Sequence, residues 1–166
     1  PIYLVATSGT TGRPKCIPVA QDAAFLSYEW RDEFTSYHHG MRVGIYVFAI
    51  WEMFRPLRKG AELWFPDAST LFSPSELADF LIEHNVDEML FTPSFYNTFL
   101  TVLDEAKAAR LPLSRVILNG EVVGDDLITT SLEKLPNTDL WNLYSICETH
   151  DVCMSHLTEL AGDAPV

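Results

Sequence analysis

The sequence predicts an α/β fold: a mostly parallel sheet flanked by helices and preceded by a β-hairpin. Three observations predict it. From Val43 onward, short apolar runs alternate with helical patterns at the spacing of βαβ units. Upstream, the apolar stretches Ile2-Tyr3-Leu4-Val5-Ala6 and Cys16-Ile17-Pro18-Val19 flank a segment rich in Gly, Ser and Thr, the pattern of two strands joined by a loop. The chain has 166 residues, of which 48% are hydrophobic. That is one domain's worth, enough to bury a core and too apolar for disorder.

The elements follow in order. Residues 22–38 are long enough for a helix, with Asp22 as its N-cap and Phe25, Leu26, Trp30 and Phe34 as its buried stripe. His38-His39-Gly40 ends it. Residues 43–47 read as a strand, 50–57 as a helix, Arg58-Lys59-Gly60 as a turn and 61–65 as a strand closed by Pro66-Asp67. Ser73 caps a helix with Pro74 in its first turn, running to about His84. A strand over 86–91 precedes a helix opened by Pro93 and continuing to about Ala109. A strand over 114–118 comes next. The helix over 124–135 carries Asp125 and Asp126 in its first turn, where acids suit the dipole. Residues 139–144 and 151–156 are the last two strands.

A net charge of −12 argues against nonspecific nucleic-acid binding, which needs a basic surface. No apolar run is long enough to span a bilayer, and no basic start followed by an apolar middle marks a signal peptide. The three cysteines, Cys16, Cys147 and Cys153, lack CxxC spacing, so reduced thiols and a cytoplasmic location are expected. The chain enters a strand at once and closes on a polar tail, which is the expectation for a fragment of a longer protein, a partial domain over 1–166.

Residues Thr7-Ser8-Gly9-Thr10-Thr11-Gly12-Arg13-Pro14-Lys15 carry the strongest chemistry. Glycines admit close backbone approach to an anion, and successive N–H groups form a nest for phosphate oxygens. Hydroxyls add donors, and Lys15 adds a mobile point charge. A Walker A loop needs four residues between its glycines and a helix after its lysine; here two residues separate Gly9 from Gly12, and a strand follows Lys15. In its order of residues the loop resembles the signature loop of the adenylate-forming enzymes, roughly Tyr-Thr-Ser-Gly-Thr-Thr-Gly-x-Pro-Lys-Gly. Ala6 and Cys16 are the departures, at positions not expected to touch phosphate.

The second match is Asn142-Leu143-Tyr144-Ser145-Ile146-Cys147-Glu148. It resembles the Asn-x-Tyr-Gly-Pro-Thr-Glu of peptide-synthetase adenylation domains, with Asn142, Tyr144 and Glu148 kept. The resemblance implies Asn142 at the adenine edge, Tyr144 stacked on the ring and Glu148 holding Mg²⁺, roles that suit an amide, an aromatic face and a hard carboxylate. Ser145, Ile146 and Cys147 depart, and one hydroxyl near the phosphate is lost. Asn119-Gly120-Glu121, after a strand, fits the family's turn beneath adenine, although an ordinary strand-end turn fits almost as well. His150 beside this motif is a candidate lining residue. The chain is thus similar to the central part of an adenylation domain's N-terminal region.

Trp51-Glu52-Met53-Phe54 resembles the family's Trp-Glu-Ile-Phe at the acyl pocket. Domains that take α-amino acids place an aspartate four residues before this Trp; here the position is Val47, which leaves an α-ammonium unpaired. The implied pocket comprises Val47, Phe48, Trp51, Leu90, Ile117, Asn119, Leu143, Asp151 and Val152, with Asp151 its only acid. Two readings follow. In the favoured one, the substrate is a carboxylic acid with a displaced cation, a β-amino acid or a betaine, facing Asp151 with Phe48 and Trp51 adding cation–π attraction. In the other, the acid lacks nitrogen and Asp151 turns to solvent.

The resemblance implies conversion of a carboxylate and MgATP into an acyl-adenylate and pyrophosphate, with Thr7, Lys15 and Glu148 as catalytic residues. In the parent protein the acyl group then passes to phosphopantetheine on a carrier-protein domain. An acyl-CoA or aryl-acid ligase, with CoA as acceptor, and a noncatalytic degenerate module are the alternatives. The family's downstream Thr-Gly-Asp motif and lysine-bearing C-terminal domain are missing from these residues, so the isolated chain is expected not to turn over.

Overall fold

The computed structural model describes residues 1–7, 14–46, 50–146 and 150–162. β1 (Tyr3–Thr7) and β2 (Lys15–Val19) pair antiparallel, with Tyr3 opposite Val19 and Thr7 opposite Lys15. This register brings the two ends of the intervening loop face to face. Val5 and Val19 are buried against Ala24 and Tyr28 of α1 (Gln21–Asp32), which seats the hairpin on that helix.

The helix α1 corrects the expected pattern in three respects. Its N-cap residue is Ala20, and Asp22 lies in the first turn. Its buried residues are Ala24, Tyr28 and Arg31, whereas Leu26 is 70% exposed and Phe34 lies beyond the helix end. The spacing i, i+4, i+7 is a helix face as expected, but its deepest member is a charged residue held by buried partners. The helix also stops at Asp32 instead of reaching His38. Beyond it, buried Thr35 accepts from Arg55 Nη2 through both its carbonyl and its hydroxyl, at 3.1 and 3.0 Å.

Among the described residues, six strands form the main sheet: β3 (Arg42–Gly44), β4 (Glu62–Trp64), β5 (Glu88–Phe91), β6 (Arg115–Asn119), β7 (Asp139–Ile146) and β8 (His150–His156). Their order is β4-β3-β5-β6-β7-β8, parallel throughout except for the antiparallel pair β7–β8. A 3₁₀ turn (Ile50–Met53) and α2 (Phe54–Arg58) connect β3 to β4, and α3 (Ala68–Phe72) and α4 (Pro74–Glu83) connect β4 to β5. Between β5 and β6 lie α5 (Pro93–Thr101) and α6 (Glu105–Ala108); α7 (Asp125–Lys134) joins β6 to β7, and α8 (Leu157–Gly162) follows β8.

The single helix expected over 93–109 is therefore two. Asp104 accepts from Lys107 N at 2.7 Å and starts a new N-terminus, which ends the continuity of the first helix. Likewise α3 forms where no helix was expected, because the Asp67 carboxylate accepts from Thr70 N at 2.8 Å. Pro74 does open α4 and Asp125-Asp126 do occupy the first turn of α7.

The core lies between β5, β6 and β7 and helices α4 and α5. All four residues of β5 are buried, as are Leu77 and Leu81 of α4 and Tyr96 and Phe99 of α5. Glu88 is the charged exception in β5. It accepts from the Tyr37 hydroxyl and from Arg115, so the core carboxylate is paired.

This topology locates the site. β4 and β5 flank β3 on opposite sides, so the direction of winding switches between β3 and β5. Open α/β sheets bind ligands outside the carboxyl ends of their strands at such a point. Because β8 runs antiparallel, its first residues, His150 and Asp151, reach the same edge of the sheet.

Candidate active site

At the hairpin, the backbone of Thr7 faces Lys15, and Lys15 is exposed. A cation thus stands at the mouth of the expected phosphate loop. Ser8, Gly9, Thr10, Thr11 and Gly12 themselves lie outside the described residues, as do Val47, Phe48 and Glu148.

The ends of β6 and β7 are tied together. Asn119 is buried, and its Nδ2 donates to the Leu143 carbonyl at 2.6 Å and to Ser145 Oγ at 3.0 Å. Ser145, one of the departures from the family pattern, therefore anchors the turn residue from the neighbouring strand. Gly120 follows with φ of +93°, a left-handed conformation that disfavours any side chain. Glu121 is engaged as well: its carboxylate accepts from Ser94 N at 2.9 Å and Ser94 Oγ at 2.8 Å, binding the turn to the start of α5. Tyr144 is 54% exposed near the end of β7, leaving an aromatic face open, and Asn142, half-buried, pairs with Ser155 of β8.

Among the expected acyl-pocket residues, Leu90, Ile117 and Leu143 belong to the main core, and Ile117 has no exposed surface. Val152 sits at an irregularity in the β7–β8 register, where Tyr144 pairs with Cys153 and Ser145 with Asp151, and it is 48% exposed. Trp51 is half-buried, its carbonyl 3.4 Å from the Tyr28 hydroxyl that donates to it. The Trp51 ring meets the His150 ring edge-on at 6.4 Å.

Asp151 is turned inward, with its side chain 5% exposed. Its Oδ2 accepts from Ser27 Oγ at 2.7 Å and lies 3.7 Å from Arg31 Nη1. The same nitrogen is 2.5 Å from Glu52 Oε1. Both carboxylates thus share the Arg31 guanidinium in a buried cluster. Burial pushes the Glu52 carboxyl up, but Arg31 and then Arg55 outweigh it and hold it below its ordinary range. Burial likewise works against the charged form of Arg31, and Glu52 and Asp151 overcome it.

His150 has φ of 64° and its Nε2 lies 3.0 Å from the Tyr3 hydroxyl, joining the hairpin to the start of β8. Burial, foremost, raises the Tyr3 phenol far above its usual value, so that hydroxyl stays protonated. Ser27 and Arg31 were not singled out in the sequence. Their four-residue spacing on one helix face was the available signal. Elsewhere, a cavity of about 810 Å³ lies at the opposite, amino-terminal end of β6 and β7, lined by Leu103, Leu111, Leu113, Leu135 and Thr138 among others. Its position sets it apart from the strand ends described above.

A switch point, an exposed lysine on a paired hairpin and an open aromatic face define an α/β domain built to hold a ligand at the carboxyl edge of its sheet. The chain belongs to the AMP-binding enzyme family, whose family model matches residues 1–165. It is 40% identical over 162 residues to glycine betaine reductase ATRR of Emericella nidulans, covering 97% of this chain and 13% of that protein. It is 31% identical over 157 residues to bacitracin synthase 3 of Bacillus licheniformis, covering 89% of this chain and 2% of that protein. In three dimensions it resembles the Vibrio cholerae adenylation domain AlmE, solved in complex with glycyl-adenosine-5'-phosphate, with a TM-score of 0.80, 23% identity and coverage of 93% of this chain and 30% of that chain. The chain thus spans a small fraction of the length of these relatives.

Proposed function

We propose that this chain is part of an adenylation domain whose parent protein activates a carboxylic acid bearing a displaced cation, a betaine or a β-amino acid. The observation that carries the reading is Asp151: a buried carboxylate next in the chain to His150, whose ring meets that of Trp51, in a cluster where it shares the Arg31 guanidinium with Glu52. A substrate cation there supplies further positive charge, and the Trp51 face adds attraction. An α-amino acid would instead need an acid at Val47. The 40% identical relative named a glycine betaine reductase supports the betaine class.

The residues present fit a nucleotide. Lys15 offers its ammonium beside the loop, Tyr144 an open ring for stacking, and Gly120 a backbone without a side chain beneath the base. Glu148 would hold Mg²⁺, which offsets phosphate charge when bound. In the reaction, a carboxylate oxygen of the acid attacks the α-phosphorus of ATP. The bond from that phosphorus to the bridging oxygen breaks, and pyrophosphate leaves with the electron pair. The protein's part is positioning and charge neutralisation: Thr7 to Lys15 steady the leaving pyrophosphate, and Asp151 orients the far end of the acid. A phosphopantetheine thiol on a carrier-protein domain of the parent protein would be the acceptor of the acyl group, with AMP as the leaving group.

ATP–pyrophosphate exchange by the parent protein tests this, using glycine betaine, β-alanine, α-keto acids, aryl acids and common α-amino acids. Exchange led by betaine or β-alanine is expected. Exchange only with α-amino acids would overturn the substrate class, and no exchange with any acid would point to a noncatalytic module.

A further inference from the structure

We propose that Ser27 and Arg31 of α1 are positioning residues that fix the direction and charge of the Asp151 carboxylate, so that this helix governs selection of a cationic acid. The proposal rests on the substrate reading above and extends it to residues outside the expected pocket. Ser27 and Arg31 are four residues apart and point the same way from α1. Both reach Asp151, from a part of the chain more than a hundred residues upstream: Ser27 Oγ at 2.7 Å and Arg31 Nη1 at 3.7 Å.

The two contacts differ in kind. Ser27 donates a hydrogen bond to an ionised acceptor, a short and directional interaction. It fixes which oxygen of Asp151 faces the helix and leaves the other facing elsewhere. Arg31 supplies charge, but its Nη1 is closer to Glu52, at 2.5 Å. Glu52 is further stabilised by Arg55, itself held by Thr35 and lying over the Tyr37 ring at 4.5 Å. Asp151 therefore receives the longer, shared contact of the Arg31 guanidinium. Arg31, Glu52 and Asp151 have side chains only 2%, 6% and 5% exposed, so solvent does little to screen the imbalance. Asp151 is the less neutralised of the two acids, and it follows His150, whose ring meets that of Trp51. A substrate cation completes its neutralisation, whereas an uncharged group of the same shape leaves the carboxylate underpaired.

The test measures acid-dependent ATP–pyrophosphate exchange by the parent protein on two charged and uncharged pairs: glycine betaine with 3,3-dimethylbutanoate, and β-alanine with butanoate. Within each pair the shape is nearly the same and only the cation differs. The wild type is expected to prefer the cationic member of at least one pair. Ser27→Ala removes the hydrogen bond while keeping a good helix former. It is expected to reduce that preference in kcat/KM by about tenfold, with KM for ATP unchanged. Ser27→Thr, which keeps the hydroxyl, is expected to retain the preference. Arg31→Lys keeps the charge but loses the planar fork, and should reduce the preference as well. A wild type that prefers neither cationic acid would overturn the substrate reading and this proposal together. A wild-type preference that survives intact in Ser27→Ala would overturn this proposal alone.

Discussion

Replacing Arg31 with Met is the most severe single test of the buried cluster. The guanidinium is 2% exposed and, among the described residues, is the cation that both carboxylates share, at 6% and 5% exposure. Removing one partner of a buried pair leaves an uncompensated charge, at a cost of about 3–5 kcal/mol. Each kcal/mol lowers Tm by about 2–4 °C for a domain of 150–250 residues and by less for the larger domain of which this chain is part, so Arg31→Met should lower it by several degrees. Calorimetry of the parent protein can follow the transition that ATP raises, because a ligand of the folded state stabilises the domain that binds it. The pH dependence has a definite sign. In the wild type, the folded Glu52 carboxyl is held below its unfolded value of 4.5. Its contribution is fully present above that pH and is lost as pH falls through the lower folded value. Without Arg31, Arg55 is left as the main opposition to burial, so the folded carboxyl rises and the stability that ionised Glu52 contributes shrinks. The deficit of Arg31→Met should therefore shrink on acidification. A deficit below about 1 kcal/mol, or one that does not shrink at low pH, would show that Arg31 does not hold the two buried carboxylates.

Two further outcomes are expected. Lys15→Met should lower acid-dependent exchange by about a hundredfold, as for loss of one preorganised charge-stabilising group, and leave thermal stability unchanged because Lys15 is exposed; exchange at wild-type rate would remove Lys15 from the phosphate site. Gly120→Ala should cost about 1–2 kcal/mol in thermal unfolding, from the left-handed backbone at φ of +93°. An added Cβ would meet Thr92 Cγ2 at an ordinary 3.9 Å, so crowding contributes little, and Gly120→Asn should cost less.

Much of the fold was legible because local chemistry and tertiary demand agree. Pro74 opens a helix, Gly120 makes a left-handed turn, and the apolar run Met89-Leu90-Phe91 after Glu88 forms a buried strand. The hairpin was legible for the same reason: two apolar runs pair and bring Thr7 opposite Lys15. The face of α1 was not legible, since apolar periodicity passes over a buried arginine whose partners, Glu52 and Asp151, come from distant segments. The break between α5 and α6 turned on one side-chain cap at Asp104. Within the site, the positions at the strand ends could be read in advance. The inward turn of Asp151 could not, because Ser27 is 124 residues away in sequence.

In the proposed function, Asp151 recognises a displaced cation on the activated acid. The most direct measurement is ATP–pyrophosphate exchange by the parent protein and its Asp151→Asn variant, with glycine betaine against 3,3-dimethylbutanoate and β-alanine against butanoate. A preference for a cationic acid that Asp151→Asn abolishes, with KM for ATP unchanged, is expected. Equal use of charged and uncharged acids by the wild type, or a preference that persists in Asp151→Asn, would contradict it.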